Sequence, residues 1–312
     1  MDSSDNAPSL TNGEDVQDAF GFSNPKNKNK NGDAAMVVHK DSLFYKMDHT
    51  SAGVAFIFNH EKFIMPHLRD RTGTQEDCSN LRKCFELLGF SVTVYQDLEI
   101  KEFMQRIEKI AELDYSDMDC LVICVLSHGE SGVIYAKDAA FTHEDLWGPF
   151  TADKCKSLAG KPKLFFIQAC QGTRLDPGLT LKAEVDSSPS YKIPIHADFL
   201  IAYSTIPGPK FRLSERSSKI FQFFKWLPGI IKNRFYSWRN TGKGSWFVQA
   251  LAIELKENGF RYDILTLLTF VNRRVAVDFE SYVPGDRVMH AQKQIPCITT
   301  MLTRLLKFQQ KK

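Results

Sequence analysis

The amino-acid sequence predicts an α/β fold with a mostly parallel central sheet and helices on both of its faces. Short apolar strands alternate with amphipathic helices along the chain, and this order is typical of parallel sheets that helices cover. The strands CLVICVL (120–126) and KLFFI (163–167) are apolar throughout, which indicates that both of their faces are buried. The chain has 312 residues and 43% hydrophobic content, so it can bury a core of the size that such a fold needs.

The first half of the chain contains most of the alternation. The folded region is expected to begin near Tyr45, after an arm that is rich in Asn, Asp, Lys, Ser and Gly. The predicted elements are a strand at 54–60, a helix at 75–89, a strand at 91–97, a helix at 101–113, and strands at 119–129 and 161–170. The helix at 75–89 stops at a glycine and should bury one apolar face, formed by Leu81, Cys84, Leu87 and Leu88.

The second half begins with a loop-like stretch at 173–194, whose Pro, Gly, Ser and acidic residues indicate an exposed and cleavable segment. Beyond it, the sequence predicts a strand at 198–205, helices around 245–259 and 263–277, and a closing strand at 294–302.

Composition restricts the class of protein. No apolar run approaches the roughly 20 residues that a membrane-spanning helix needs, and the polar start lacks a signal-peptide core, so neither membrane insertion nor secretion is expected. Seven cysteines without a CxxC pair favour reduced thiols in a cytoplasmic compartment over a disulfide framework. A formal net charge of +3 is too small to indicate nucleic-acid binding.

Two of the apolar strands end in reactive residues. His128 and Gly129 follow one strand, and Cys170 ends the other. Ligands of open parallel sheets bind beyond the carboxyl ends of the strands, so on neighbouring strands the thiol and the imidazole would share one cleft. There they would form a nucleophile and its acid/base partner, and the glycine would let main chain approach the substrate.

The same residues also fit plainer interpretations. A cysteine at a strand end is often only a small packed hydrophobe, and a histidine in a turn is often only a polar loop residue. A zinc site fits poorly because the dispersed Cys and His lack short paired spacings, so no metal or cofactor is expected. The other six cysteines are expected to be structural, with Cys120 and Cys124 on one strand face.

Several short segments resemble one family of proteases. The run QACQG (168–172), with SHGE (127–130) upstream, matches the signature of the caspases. Other segments resemble caspase segments in the same order, namely RTGT (71–74), AYST (202–205), YSWRN (236–240), GSWF (244–247) and KQIPC (293–297). The chain therefore resembles a caspase over nearly the whole folded region, most closely an executioner caspase of insects.

The resemblance implies a role for each matched residue. Cys170 would be the nucleophile and His128 the acid/base, while the N–H groups of Gly129 and Cys170 would bind the oxyanion. Arg71 and Arg239, with Gln168, would bind the aspartate before the scissile bond, since two guanidinium groups can clamp one carboxylate.

Five further residues would bind the rest of the substrate. By the same resemblance, Tyr236 and Trp238 would form walls of the next subsite and Ser237 would offer its backbone. Asn240 and Trp246 would favour a second aspartate three positions further upstream. From the pattern alone, Trp246 could equally belong to the hydrophobic core.

The resemblance also implies a cytoplasmic zymogen. Asp18 and Asp186 each precede a small residue, as sites that such an enzyme would itself cut. The expected parts are a pro-segment and lead-in (1–44), a large subunit (45–186) and a small subunit (187–312), which would dimerise as pairs. The implied partners are protein substrates with aspartate at the cleavage site and inhibitor-of-apoptosis proteins. The short polar arm favours an executioner over an initiator.

Residues 209–234 depart from the caspase pattern. They form a basic, aromatic insertion where caspases run almost directly from AYST into YSWRN. Three explanations are open: a translated intron or variant exon, a membrane- or partner-binding segment, or a long loop. Because the insertion enters the loop that presents Ser237 to Arg239, the sequence also allows an impaired isoform or a decoy. A related protease that cuts after Arg or Lys would need acidic residues in place of Arg71 and Arg239.

Overall fold

The computed structural model describes residues 38–130, 132–170, 196–205, 237–286 and 289–311. The strands in these residues are, in chain order, β1 (Ser51–Asn59), β2 (Ser91–Gln96), β3 (Met118–Leu126), β4 (Gly129–Glu130), β5 (Val133–Tyr135), β6 (Ala140–Thr142), β7 (Lys163–Gln168), β8 (Phe199–Tyr203), β9 (Arg239–Asn240), β10 (Gly244–Ser245) and β11 (Cys297–Thr300). The α-helices are α1 (Thr74–Leu87), α2 (Ile100–Ala111), α3 (His143–Trp147), α4 (Trp246–Asn258) and α5 (Ile264–Asp278), and single 3-10 turns lie at Gly148–Phe150 and Lys156–Leu158.

Six strands form the central sheet in the order β11-β8-β7-β3-β1-β2. The pairs β1–β2, β1–β3, β3–β7 and β7–β8 are parallel, and β11 joins β8 in the antiparallel sense. The predicted α/β class with a mostly parallel sheet is therefore confirmed. Two small antiparallel sheets, β4-β5-β6 and β9-β10, lie outside the central one.

A hydrophobic core covers each face of the central sheet. Successive side chains of a strand point to opposite faces, so β3 supplies Val122 to one core and Ile123 to the other. Helices α1, α4 and α5 pack on the first face, and α2 and α3 pack on the second. Cys120 and Cys124 are fully buried in the first core, as free thiols.

The predicted elements agree with the structure except at their ends. Leu81 and Cys84 of α1, and Leu88 directly after it, are buried as expected, but Leu87 is 52% exposed, so its assignment to the buried face was wrong. Leu88 follows Cys84 by four residues and shares its face, whereas Leu87 lies about 100° around the helix from Leu88. In the described part of the chain, no helix is long and apolar enough to span a bilayer.

Several predictions fall outside the described residues. These are the cleavage sites at Asp18 and Asp186, the loop at 173–194, the subsite residue Tyr236 and the insertion at 209–234.

Candidate active site

The ends of β3 and β7 bring the two reactive residues together. The strands are parallel neighbours with Leu126 opposite Gln168, and the Ser127 N–H donates to the Gln168 carbonyl over 3.0 Å. His128 and Cys170 follow directly at the same edge of the sheet, and both line one cavity of about 260 Å³. The other residues that line this cavity are Arg71, Ser127, Gln168, Ser237, Trp238, Arg239 and Met289.

Cys170 differs from the core cysteines in its surroundings. It is partly exposed, and its Sγ lies 3.9 Å from the carbonyl oxygen of Ser237. Cys120 and Cys124 are fully buried, and burial raises the pKa of both thiols well above the ordinary range. Because the thiolate is the reactive form, these buried thiols are inert, whereas the Cys170 thiol faces the cavity.

His128 is oriented by a main-chain carbonyl that sequence analysis did not identify. Its Nε2 lies 2.7 Å from the Arg69 carbonyl oxygen, and its ring is tilted against Phe63 with the centroids 4.8 Å apart. A carbonyl can only accept, so Nε2 bears the proton and Nδ1 of the neutral ring is free of one. Burial lowers the pKa of His128 to about 4, the Arg69 bond opposes this shift, and the charges of Arg71 and Arg239 add to it.

Arg71 is enclosed by the fold. Its side chain is 2% exposed, and Nη1 donates to the His60 carbonyl over 3.1 Å and to Thr74 Oγ1 over 2.9 Å. Thr74 Oγ1 in turn donates to Asn59 Oδ1 over 2.6 Å, which links the arginine to the end of β1. Burial lowers the pKa of Arg71, and the charge of Arg239 is the second cause. Guanidinium groups nevertheless stay charged at neutral pH.

Arg239 begins β9, on the hairpin that precedes α4. Burial lowers its pKa, and the Asp77 carboxylate opposes the shift. Its Nε is buried and has no hydrogen-bond partner among the described residues. This guanidinium therefore has donor capacity for a ligand carboxylate.

Asp77 joins the hairpin to α1, and sequence analysis missed it because an acidic residue in a first helical turn is ordinary. Its carboxylate accepts from the Ser245 N–H over 2.7 Å and from Ser245 Oγ over 2.6 Å. Ser245 precedes α4 but makes no side-chain cap, because its hydroxyl donates to Asp77. Gly244 has a φ of 90°, and a Cβ there would overlap the Asp77 carboxylate. Burial raises the pKa of Asp77, and the two arginines oppose that shift.

The predicted oxyanion residue Gly129 lies against the nucleophile strand. A Cβ at this position would come within 2.8 Å of the Cys170 carbonyl oxygen and 3.0 Å of Ala169 Cβ. Real Cβ atoms rarely approach so closely, so a glycine lets the two strand ends meet.

The predicted substrate residues fall into two groups. Gln168, Ser237 and Trp238 line the cavity, and Gln168 Nε2 donates to Ser237 Oγ over 2.5 Å. Asn240 and Trp246 are not among the residues that line it. Asn240 is exposed, and its Oδ1 accepts from the Gly242 and Lys243 N–H groups at 2.9 and 3.0 Å.

Trp246 supports the cavity wall through packing. It is 6% exposed and stacks on Trp238 on one side, with the centroids 5.7 Å apart, and on Phe279 on the other at 5.5 Å. The core interpretation of Trp246 therefore accounts for its position. Met289, which sequence analysis did not identify, contributes to the cavity from the loop before β11. Among the described residues, no group of three or more His, Cys, Asp or Glu could hold a metal ion.

Comparisons with known proteins show which family this chain matches. The family profile described as the caspase domain matches residues 52–217 and 231–307, so the unmatched interval 218–230 lies inside the stretch 209–234. Caspase drICE of Drosophila melanogaster is 51% identical over 298 residues, which are 94% of this chain and 80% of that protein. Caspase-1 of Spodoptera frugiperda is 49% identical over 314 residues, covering 100% of this chain and 96% of that protein. The crystal structure of Spodoptera frugiperda Caspase-1 superposes with a TM-score of 0.76 at 51% identity, covering 89% of this chain and 98% of the other.

Proposed function

The chain belongs to the caspase family, and from that premise we propose how its residues cut a protein chain after aspartate. The protein is an aspartate-specific cysteine endopeptidase of the effector type, an executioner of apoptosis. The observation that supports the residue assignment is that Cys170, His128, Arg71 and Arg239 line one cavity.

Cys170 and His128 perform the bond exchange. His128 Nδ1 takes the thiol proton, and the sulfur attacks the carbonyl carbon that follows the aspartate side chain. The N–H groups of Gly129 and Cys170 bind the oxyanion of the tetrahedral intermediate. The carbon–nitrogen bond then breaks, the imidazolium gives its proton to the leaving amine, and a thioester remains on Cys170. Water, deprotonated by His128, hydrolyses the thioester and restores the thiol.

The Arg69 carbonyl serves the same steps. Its bond to Nε2 fixes the tautomer whose Nδ1 can accept a proton, and it stabilises the imidazolium that forms. The low pKa of His128 keeps the ring neutral at pH 7, before the thiol proton arrives.

The two arginines and Gln168 select the aspartate. Its carboxylate binds between the Arg71 and Arg239 guanidinium groups, and the uncharged isostere asparagine would leave both buried charges unpaired. Glutamate is one methylene longer, and Arg71 cannot retreat because two hydrogen bonds and its burial fix it. Aspartate is therefore preferred over both.

The zymogen parts complete the proposal. Cuts after Asp18 and Asp186 divide the chain into the pro-segment, a large subunit that ends at 186 and a small subunit that begins at 187. Caspases assemble as dimers of such large and small pairs. Inhibitor-of-apoptosis proteins are proposed as further partners from the resemblance alone. We place the enzyme in the cytoplasm because its described cysteines are all free thiols. Mass spectrometry of the active protein tests the two cuts, and intact bonds after both aspartates would contradict them.

The impaired or decoy alternative is not favoured. The family match continues on both sides of 218–230, and the proposed catalytic and binding residues lie together in one cavity.

Peptide cleavage tests the assignment. Matched peptides that end in Asp, Glu and Asn before the scissile bond should be cleaved in that order of preference, with Asn at least ~100-fold slower than Asp. Cys170→Ala should remove activity, whereas Cys297→Ala, at the other partly exposed cysteine, should retain it. Equal cleavage of the Asp and Asn peptides, or activity in Cys170→Ala, would refute the assignment.

A further inference from the structure

One buried side chain connects Trp238, which lines the cavity, to Ser204 at the end of β8. Gln294 is 3% exposed, its Oε1 accepts from the Trp238 N–H over 2.7 Å, and its Nε2 donates to the Ser204 carbonyl over 2.8 Å. Ser204 and Trp238 lie on opposite sides of the interval 205–237, which contains the stretch 209–234. A single amide therefore joins the main chain at both ends of that interval.

Ser204 connects this bridge to the nucleophile strand. The residue is fully buried, its N–H donates to the Ile167 carbonyl over 2.9 Å, and its Oγ donates to the Ala169 carbonyl over 3.1 Å. Ala169 directly precedes Cys170. A continuous set of hydrogen bonds thus runs from the strand that ends in the nucleophile, through Ser204 and Gln294, to Trp238.

Trp238 is held on its other side as well. Its carbonyl accepts from the Trp246 N–H over 3.2 Å, at the start of α4. Its neighbours in sequence are Ser237, whose carbonyl lies 3.9 Å from Cys170 Sγ, and Arg239, which lines the cavity. The main chain around Trp238 is the part of the site that must meet an extended substrate, and such a site needs placement within about 0.5 Å.

The length of the interval raises the entropic cost of holding its two ends together. The entropic cost of bringing two chain ends together grows with the logarithm of the length between them. Removing 209–234 would shorten the interval roughly fivefold, which makes closure about tenfold more favourable. By length alone, the longer connection contributes less to keeping Trp238 close to Ser204, so the hydrogen bonds of Gln294 contribute relatively more.

We propose that Gln294 is a positioning residue that holds the substrate-binding segment 237–239 against the nucleophile strand, and so lets the site function with the insertion at 209–234. The inference rests on the proposed function of Cys170 and the segment beside it. It predicts that Gln294 acts on substrate binding and not on the chemical step, because its two side-chain hydrogen bonds in the described structure join Trp238 and Ser204 and involve neither Cys170 nor His128.

Two substitutions at Gln294 separate positioning from general stability. Gln294→Met keeps the volume but leaves the Trp238 N–H and the Ser204 carbonyl without their partner, and should raise KM for an Asp-ending peptide about tenfold or more while kcat changes less than about threefold. Alkylation of Cys170 by iodoacetamide should keep its wild-type rate. Gln292→Met is the matched control, since the Gln292 amide donates to the His290 carbonyl, outside this network.

Gln294→Glu supplies a pH signature. Burial raises the pKa of the introduced carboxyl, and its protonated form can accept from Trp238 and donate to Ser204 as the amide does. The ionised form cannot donate. The ratio of KM in Gln294→Glu to KM in wild type should therefore fall towards one as the pH is lowered. The same ratio for Gln294→Met should not depend on pH.

A double-mutant cycle tests the link to the insertion. Gln294→Met should raise KM several-fold more in the full chain than in a chain lacking 209–234, because the short connection restrains Trp238 by itself. Equal effects in the two chains, or a loss of kcat in place of KM, would overturn the proposal.

Amide hydrogen exchange gives a readout that needs no activity. The Trp238 amide should exchange faster in Gln294→Met than in wild type, and unchanged exchange would refute the role of Gln294. A wild-type chain that cleaves no Asp-ending peptide would refute the proposed function instead, and the exchange measurement would still decide for or against Gln294.

Discussion

Arg71 and Arg239 line the same cavity, but the protein holds them in different ways. Arg71 is 2% exposed and donates two hydrogen bonds, to His60 and Thr74, so its position is part of the packed fold. Arg239 stands on a two-residue strand, is partly exposed, and keeps a buried Nε without a partner in the described structure. In the proposed aspartate pocket, the Arg71 wall is thus set when the domain folds, and the Arg239 wall depends on a hairpin and on the ligand.

Replacing each arginine by alanine should separate the two walls by the largest effect. Both variants should lose about 3 kcal/mol of transition-state binding for Asp-ending peptides, roughly 100-fold or more in kcat/KM, because the ligand carboxylate loses a charged partner. Arg71→Ala should also lower the free energy of unfolding by about 2 kcal/mol or more, since it leaves a cavity and two unpaired acceptors.

Arg239→Ala should leave the free energy of unfolding nearly unchanged, because it removes a partly exposed charge that repels Arg71. Thermal or denaturant unfolding of both variants measures the difference. Equal destabilisation by the two substitutions would contradict the distinction between a wall set by the fold and a wall set by the hairpin.

His60 should make the Arg71 wall sensitive to acid. Its ring is 1% exposed, neither nitrogen has a partner in the described structure, and burial lowers its pKa to about 4. The unfolded chain takes up this proton near pH 6.5 and the folded chain only near pH 4, so stability is lost as the pH falls between these values. The loss from this group amounts to about 2 kcal/mol at pH 5.

His60→Leu should remove that part of the acid sensitivity while activity at pH 7 is retained. Denaturant unfolding at pH 7 and pH 5 measures the effect, and the variant should lose less stability than wild type over this range. An unchanged pH dependence would show that His60 is not the group that titrates.

Asp77 should hold the hairpin that carries Arg239, and its replacement should lower kcat/KM less than replacement of either arginine does. Asp77→Ala removes the acceptor of the Ser245 N–H and hydroxyl, so the hairpin loosens and kcat/KM should fall about tenfold. Asp77→Asn keeps an acceptor for the N–H, so its kcat/KM should fall less. Ser245→Ala loses only one hydrogen bond, so its kcat/KM should fall least. Steady-state kinetics with Asp-ending peptides measures this order. An equal loss in Asp77→Asn and Asp77→Ala would show that the negative charge of Asp77 matters, and not its hydrogen bonds to the hairpin.

The same contrast explains what the sequence could predict. Strands β3 and β7 are continuous apolar runs, and that pattern predicted a shared edge for His128 and Cys170 on the condition that the two strands are neighbours. The pairing of β3 with β7 meets that condition. Arg71 and Arg239 were found only through resemblance, because a single arginine has no pattern of its own. The Arg69 carbonyl and Gln294 were missed, since main-chain acceptors and contacts between distant segments leave no trace in local sequence.

The boundaries of the elements were less predictable for related reasons. A two-residue strand such as β9 or β10 is too short to show a period, so neither small sheet could be predicted. The apolar period of α1 continued to Leu87, although that side chain is 52% exposed at the end of the helix. Trp246 was ambiguous because packing against Trp238 and substrate contact require the same kind of residue.

Covalent labelling tests whether the two strand ends and the two arginines form one site for an aspartate. A peptide fluoromethyl ketone ending in Asp should add to the sulfur of Cys170, identified by peptide mapping, while the matched Asn-ending reagent should react at least ~100-fold more slowly. Arg71→Ala should lose this selectivity. Addition at a different cysteine, or equal labelling by the Asp and Asn reagents, would contradict the account.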